Sequence, residues 1–300
     1  MKLKVMPELP EVETVASGLA KHIVGLKITD VRVNLPKLIN LKPALFRKSL
    51  LGRRITAVRR RAKVIIIELS RSKRIERIKR NNLNQINRLD QLTEYLVIHL
   101  KMSGQLMYLR PADSVQKHTH IIITLSNGRH LRFRDQRQFG YVRFYDRAGF
   151  ESFLAEHSFG PEPLDGFSLS DFRELLKSRP HSKIKPLLLD QTFIAGIGNL
   201  YADEILFYAR VHPLKPAGRL KPVEVKDMYV GMQKILRKAI KERGSSVELY
   251  VDADGRPGNY VRYIKAYDRE GKPCLKCGRK IIRIKIGSRS AYFCPKCQPR

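Results

Sequence analysis

The chain has 300 residues, with 59 Lys and Arg against 28 Asp and Glu and a formal net charge of +31. That length predicts two domains with separate cores, and the charge predicts a nucleic-acid or ribosomal partner, with an anionic membrane surface the lesser expectation. No apolar run is long enough to span a bilayer and no signal-peptide core follows the first lysines, so secreted and membrane-spanning classes are excluded and a cytoplasmic, nucleoid-associated protein is expected.

Five residues into the chain stands Met6-Pro7-Glu8-Leu9-Pro10-Glu11-Val12-Glu13-Thr14. With Met6 removed, Pro7 would be a free secondary amine beside a carboxylate, able to attack a sugar aldehyde carbon and form a positively charged imine. An internal proline nitrogen is a tertiary amide without a basic lone pair. As written, residues 1–6 block it: translation starts at Met6, the extension is trimmed, or the chemistry is absent. The structural alternative is an extended lead-in to a helix. Pro10 suits a first turn, Val12, Val15, Leu19 and Ile23 recur at helical spacing, and Gly25 ends the helix.

Period-two patterns follow. Strands are predicted at Ile28–Val33, Arg53–Arg60, Lys63–Leu69, Tyr95–Leu100, Gln105–Leu109, His120–Leu125, Arg129–Arg134 and Tyr141–Tyr145, with Ser126-Asn127-Gly128 as a hairpin turn. Such a series after one helix predicts a sandwich or barrel. Arg71 to Asp90 interrupts it with seven basic and two acidic residues and reads as an inserted, solvated surface segment or an accessory DNA contact. Residues 151–163, ending in Gly160-Pro161-Glu162-Pro163, read as a linker. Helices are then expected from an N-cap at Ser170, over Lys185–Asp190, over Asn199–Arg210 and over Val223–Arg243.

Four cysteines carry the strongest metal signal. Cys274-x2-Cys277 and Cys294-x2-Cys297 are separated by sixteen residues, and two such thiolate knuckles surround one zinc ion tetrahedrally. Four thiolates leave no open position, so the ion is structural; a disulfide pair or free thiols is the alternative. Lys272 to Arg300 holds nine basic residues and no acidic ones, a segment expected to face phosphate. Gly196-Ile197-Gly198-Asn199 opens a helix after a tight turn, where converging N–H groups suit a phosphate and Asn199 can cap the helix or contact a phosphate oxygen. Met102 and the Arg137-x-Phe139 pair, at strand ends, are core residues or wedges that fill the gap left by a displaced nucleotide. Lys63 precedes an apolar strand, and His118 and His120 lack a third metal ligand, which favours DNA or structural roles.

In this order the segments resemble the formamidopyrimidine-DNA glycosylase family over nearly all of residues 6–300. The pieces are Pro7 to Thr14, Arg61-Ala62-Lys63, His99 to Gly104, Gly160 to Leu164, Ile184-Lys185-Pro186, Gly196 to Asn199, Tyr201-Ala202-Asp203-Glu204 and the cysteines. The resemblance implies an α+β fold: an N-terminal β-sandwich domain with an N-terminal helix (6–150), a helix-two-turns-helix domain (164–262) and a C-terminal zinc finger (263–300). It implies a bifunctional glycosylase and abasic-site lyase of base excision repair, excising 8-oxoguanine and formamidopyrimidines from damaged double-stranded DNA, with one structural Zn2+, no small-molecule cofactor and a monomeric state. By resemblance Pro7 is the nucleophile at C1′, Glu8 the acid/base group, Lys63 a β-elimination and phosphate residue, and Arg289 a δ-elimination and phosphate residue. Met102, Arg137 and Phe139 fill the vacated space. His118, Lys185 and Asn199 contact the DNA backbone, and Ser245 to Tyr260 matches a loop that closes on the flipped base. The chain departs from the pattern at the blocked terminus, the long 71–90 segment, Gln136, Gln138, and Pro180 where the family has a DNA-contact lysine; Arg179 is the neighbouring substitute. Two other readings stay open: a non-catalytic zinc-finger DNA- or RNA-binding protein if the extension is retained, and an oxidised-pyrimidine glycosylase of the same architecture.

Overall fold

The computed structural model describes residues 6–71, 93–246 and 249–300; the basic segment expected at 71–90 lies, apart from Arg71, outside them. Two compact units emerge, one of residues 11–158 and 249–258, the other of residues 6–10, 159–246 and 259–300.

In the first unit helix α1 (Leu9–Ile23) enters with Val12, Val15, Leu19 and Ile23 fully buried, the stripe its spacing predicts. Eight strands follow: β1 (Ile28–Val33), β2 (Arg54–Arg61), β3 (Val64–Ser70), β4 (Glu94–His99), β5 (Gly104–Leu109), β6 (Thr119–Leu125), β7 (His130–Asp135) and β8 (Tyr141–Tyr145). Each expected strand is present, with ends shifted by at most a residue. They form two antiparallel four-stranded sheets, ordered β1-β6-β7-β5 and β2-β3-β4-β8. Ile65, Ile67 and Leu69 of β3 share one core with Ile121, Ile123 and Leu125 of β6 and with α1, so alternate residues of facing sheets fill the sandwich. Two helices were not expected. Helix α2 (Pro43–Leu50) follows β1 and buries Phe46 and Leu50. Helix α3 (Arg147–His157) covers the outer face of β4, where Tyr95 stacks on Phe150 at 4.0 Å. Residues 151–157, expected as linker, are thus helical; the Asp146 N-cap on the Gly149 N–H, with Phe150 and Phe153 packed beneath, was the missed signal.

The second unit is helical with a small hairpin. Helix α4 (Leu169–Lys177) starts one turn-position earlier than expected: Ser168, not Ser170, is the N-cap, in a reciprocal capping box with Asp171. Helices α5 (Ile184–Leu189), α6 (Asn199–Tyr208) and α7 (Pro222–Lys241) follow, then the hairpin β9 (Ile282–Ile286) and β10 (Arg289–Phe293). Helix α6 is buried nearly all round and is the axis of this unit's core. Its two acids are scaffold. The Glu204 carboxylate accepts from the N–H groups of Lys265, Ala266 and Tyr267 at 2.8 to 3.1 Å, anchoring the approach to the cysteine segment. Asp203 accepts from Tyr292 N–H at 3.1 Å and from Lys185 Nζ at 2.6 Å.

Candidate active site and DNA-contact surfaces

In the helical unit, Pro7 is buried and Glu8 is 2 % exposed. The start of α6 explains Glu8. Gly198 is the N-cap, and Asn199 is the first helical residue and not the cap. Glu8 Oε2 accepts from Gly198 N–H at 2.7 Å and Oε1 from Leu200 N–H at 2.9 Å, with Tyr201 N–H at 3.4 Å. The helix terminus that the sequence offers to a phosphate is therefore occupied by a carboxylate, which satisfies the same orphan N–H groups and the positive end of the dipole. Both glycines before it are needed. Gly196 has φ +83°, and a Cβ there would lie 2.7 Å from Leu9 Cβ. Gly198 has ordinary extended dihedrals, but its Cβ would lie 2.5 Å from Glu8 Oε1. Leu9 N–H donates to Gly196 O at 2.9 Å, pinning the chain just after Pro7.

Lys185 has a fully buried ammonium, bonded to Asp203 at 2.6 Å and to Ser290 O at 2.5 Å. Burial lowers its pKa and pushes the Asp203 carboxyl up to about 7, while their attraction opposes both shifts. The ammonium reaches β10 beside Arg289, so Lys185 holds the hairpin where Arg289 begins. A cavity of about 380 Å³ lies here, lined by Lys185, Leu189, Gly287, Ser288 and Arg289. Asn199 Oδ1 is buried with no hydrogen-bond partner among the described residues. Arg179 stands 3.9 Å from Asp190.

The cysteines converge. The four Sγ atoms lie within 4.8 Å of one another, with Cys274 to Cys297 at 3.9 Å and Cys277 to Cys294 at 3.5 Å. A tetrahedral ion with Zn–S bonds of about 2.3 Å requires sulfurs about 3.8 Å apart, whereas a disulfide requires about 2.0 Å. The donor set fits one structural zinc and not a disulfide pair. The backbone N–H of Arg279 brings the Cys277 thiol down to about 7, while burial pushes Cys297 up to about 12; a bound dication would hold all four as thiolates. The knuckles dock on α6: Lys276 Nζ caps the carbonyls of Phe207 and Tyr208 at 3.1 and 3.2 Å, and Gln298 Nε2 donates to Val211 O at 2.8 Å.

In the sandwich unit, Lys63 is 6 % exposed in the two-residue turn between β2 and β3, next to Ala62 at φ +52°. Arg60 braces that turn, donating to Ala62 O at 3.0 Å and to Glu13 of α1 at 2.8 Å. Met102, Arg137 and Phe139 do come together: Arg137 Nη1 lies 2.8 Å from Met102 Sδ and its guanidinium 4.9 Å from the Phe139 ring, which is 56 % exposed. Buried Asp135 shapes this loop by accepting from Ser103 Oγ and the N–H groups of Arg137 (3.2 Å) and Gly140 (2.7 Å). His118 sits at φ +69° before β6, 6.3 Å from His120, which bonds to Asp135 O at 3.0 Å. Among the described residues the cysteines are the one group of three or more metal-ligating side chains, and no third ligand joins the histidine pair.

Sequence reasoning missed the supports: Glu13 and Arg60, Ser103 and Asp135, Asp203 and Glu204. The excess of bases over acids was the available signal, since a scarce carboxylate inside a motif is the natural partner of a buried donor.

Three family models match: the formamidopyrimidine-DNA glycosylase N-terminal domain over residues 6–142, the formamidopyrimidine-DNA glycosylase H2TH domain over 159–251, and a zinc finger found in FPG and IleRS over 271–300. The formamidopyrimidine-DNA glycosylase of Pelotomaculum thermopropionicum is 41 % identical over 98 % of this chain and 99 % of its own, and that of Chloroflexus aurantiacus 42 % over 98 % of each. Among solved structures, Lactococcus lactis Fpg with abasic-site DNA superposes with a TM-score of 0.84 at 32 % identity, and MutM with carbocyclic 8-oxo-G DNA with 0.83 at 33 %. Both cover 98 % of this chain and 100 % of the solved one. The chain therefore belongs to the formamidopyrimidine-DNA glycosylase family.

Proposed function

We propose that the protein excises oxidised purines, 8-oxoguanine and formamidopyrimidines, from duplex DNA and then cuts the strand, with the Pro7 nitrogen as nucleophile once it is the amino terminus. The observation that carries this is the adjacent carboxylate: Glu8 is buried, yet anchored by Gly198 and Leu200 N–H groups, so an acid/base group is fixed one residue from the amine. The relatives named for this activity, and the solved complexes with abasic and 8-oxoguanine DNA, support the same reading.

The amine nitrogen bonds to C1′ as the glycosidic C–N bond breaks and the base leaves protonated. The sugar ring opens, assisted by Glu8, to give a positively charged imine. That charge acidifies the C2′ hydrogen; its loss expels the 3′ phosphate oxygen in β-elimination, and a second elimination expels the 5′ phosphate oxygen. Water then releases the amine. A terminal amine titrates near pH 8, so part of it is unprotonated in the cell without special surroundings. Lys63 and Arg289 serve the eliminations and the phosphates. Met102, Arg137 and Phe139 fill the space the flipped nucleotide leaves. His118 and Asn199 belong to the DNA-backbone surface, while Lys185, buried on Asp203, acts by holding the hairpin that bears Arg289. The working arrangement is a monomer of catalytic, helix-two-turns-helix and zinc-finger domains acting on cytoplasmic DNA.

The test is borohydride trapping on 8-oxoguanine and abasic duplexes. Protein beginning at Pro7 should form a covalent adduct; protein retaining Met1 should form none. Normal trapping by Pro7→Gly with a free terminus, together with none by Lys63→Ala, would overturn the assignment. A thymine glycol duplex run alongside separates purine from pyrimidine preference.

A further inference from the structure

At the end of the β3-β4-β8 sheet, position 99 of β4 pairs with position 64 of β3 and position 141 of β8. Around this row stand Lys101 and Arg143, residues that the reading above leaves without a role. Lys101 Nζ lies 5.9 Å and the Arg143 guanidinium 4.3 Å from the centre of the Tyr141 ring. Burial pushes the Tyr141 hydroxyl up to about 12, so the ring between them is neutral. Burial, with the charges of Lys101 and Lys63, lowers His99 to about 3; its Nδ1 accepts the Lys101 N–H at 2.9 Å. The cations therefore share this corner with a neutral imidazole and a neutral phenol; the Glu156 carboxylate, whose charge reaches the Tyr141 hydroxyl, forms an ion pair with neither cation.

Four arginines of the unit are held by carboxylates, Arg47 by Asp30, Arg53 by Glu94, Arg59 by Glu68 and Arg60 by Glu13, and Arg132 is held by backbone carbonyls. Among the described residues neither Lys101 nor Arg143 has a carboxylate partner or a side-chain hydrogen bond. Lys101 is moreover partly desolvated, which lowers its pKa, and its φ of +50° is one that glycine or asparagine adopts with less strain. Half-buried cations held together without an anion leave a desolvation cost that an incoming anion would offset. Lys101 also adjoins Met102, and position 64 adjoins Lys63, so an anion here would lie along the surface of the DNA-contact residues.

We infer that Lys101 and Arg143, both set against the Tyr141 ring, form a binding site for a backbone phosphate of the DNA. This rests on the proposed DNA substrate but not on the Pro7 chemistry, and it assigns the sandwich a phosphate contact in addition to Lys63 and His118. The contact reads charge, not sequence or damage.

The test is binding of a duplex carrying a tetrahydrofuran abasic analogue, against a matched undamaged duplex, over a series of salt concentrations. Each phosphate contact contributes about 0.9 to the slope of log K against log salt, which is about eightfold at 0.1 M relative to 1 M. Lys101→Gln with Arg143→Gln should lower the slope by about 0.9, the share of one phosphate, and weaken both duplexes alike. Arg143→Lys should keep the parental slope. The double variant should form the parental borohydride adduct at saturating 8-oxoguanine duplex. A parental slope in the double variant overturns the site, as does weakening of the abasic duplex alone. Failure of the parent to trap would instead count against the Pro7 reading and leave the salt slopes readable.

Discussion

Gly198→Ala isolates how Glu8 is held. The Gly198 backbone lies at φ −130°, ψ −160°, which alanine adopts, so the substitution adds no appreciable backbone strain. The added methyl would sit 2.5 Å from Glu8 Oε1 and 2.8 Å from its Cγ, closer than such contacts occur. The carboxylate must move, and its bonds to Gly198 N–H at 2.7 Å and Leu200 N–H at 2.9 Å are the ones lost. Hydrogen bonds to a charged group contribute about 1.5–3 kcal/mol each, so about 3–6 kcal/mol of positioning is at risk. At about 1.4 kcal/mol per tenfold, realising half of this lowers the chemical step by roughly ten- to a hundredfold. Single-turnover release of 8-oxoguanine at saturating enzyme measures it. The reasoning also requires coupling: on a Glu8→Gln background, Gly198→Ala should cost little more, because its effect passes through the lost carboxylate. Activity within threefold of the parent for Gly198→Ala, or full additivity with Glu8→Gln, would refute the argument.

Three further outcomes are expected. Stripping the metal with a chelator, or Cys294→Ser, should remove one zinc per chain by metal analysis. It should also abolish duplex binding, because the knuckle that carries Lys276 and Gln298 onto α6 loses its fold. Asp203→Asn leaves the Lys185 ammonium buried without its counter-charge and should cost about 3–5 kcal/mol in urea unfolding; a loss below about 1 kcal/mol would mean that the ammonium reaches water. His99 has a folded pKa of about 3 against 6.5 unfolded, so between these values the unfolded chain binds the extra proton. Stability from this group is present above pH 6.5 and is lost on acidification toward pH 3, by up to about 1.4 kcal/mol per pH unit. His99→Asn, which keeps an acceptor for the Lys101 N–H, should flatten that part of the stability profile, and an NMR titration of the parent should show His99 neutral at pH 5.

Much of the fold was legible because its signals are local. Short β-branched apolar runs such as 64–70 and 119–125, buried on both faces, read as strands, and the stripe of α1 can bury only as a helix. The misses were also local. Arg147–His157 is a weakly amphipathic helix whose N-cap lies just outside the apolar pattern, and Pro43–Leu50 is short and carries basic residues. At Ser168 two serines two residues apart competed for one cap, and the reciprocal bond with Asp171 decides between them, a geometry that composition does not show.

The site divides differently. The cysteines were legible because their spacing already implies a task, whereas Met102, Arg137 and Phe139 were assigned through the family resemblance and are found together in the structure. What sequence could not show is how scarce carboxylates are distributed among many bases. With 28 acids and 59 bases, each buried acid settles which cation stays available to an anion. Glu8 takes the α6 amides that would otherwise suit a phosphate, and Asp203 takes the Lys185 ammonium. Glu13 takes Arg60 and so stiffens the turn at Lys63. Lys101 and Arg143 are left over by the same accounting. Motifs therefore locate the basic surface, while the acids determine which of its members face DNA. An acid-to-amide scan of residues 8, 13 and 203 should accordingly disturb base release, elimination and the Arg289 hairpin in turn. If all three variants instead lost only bulk affinity, the division of roles argued from these contacts would be wrong.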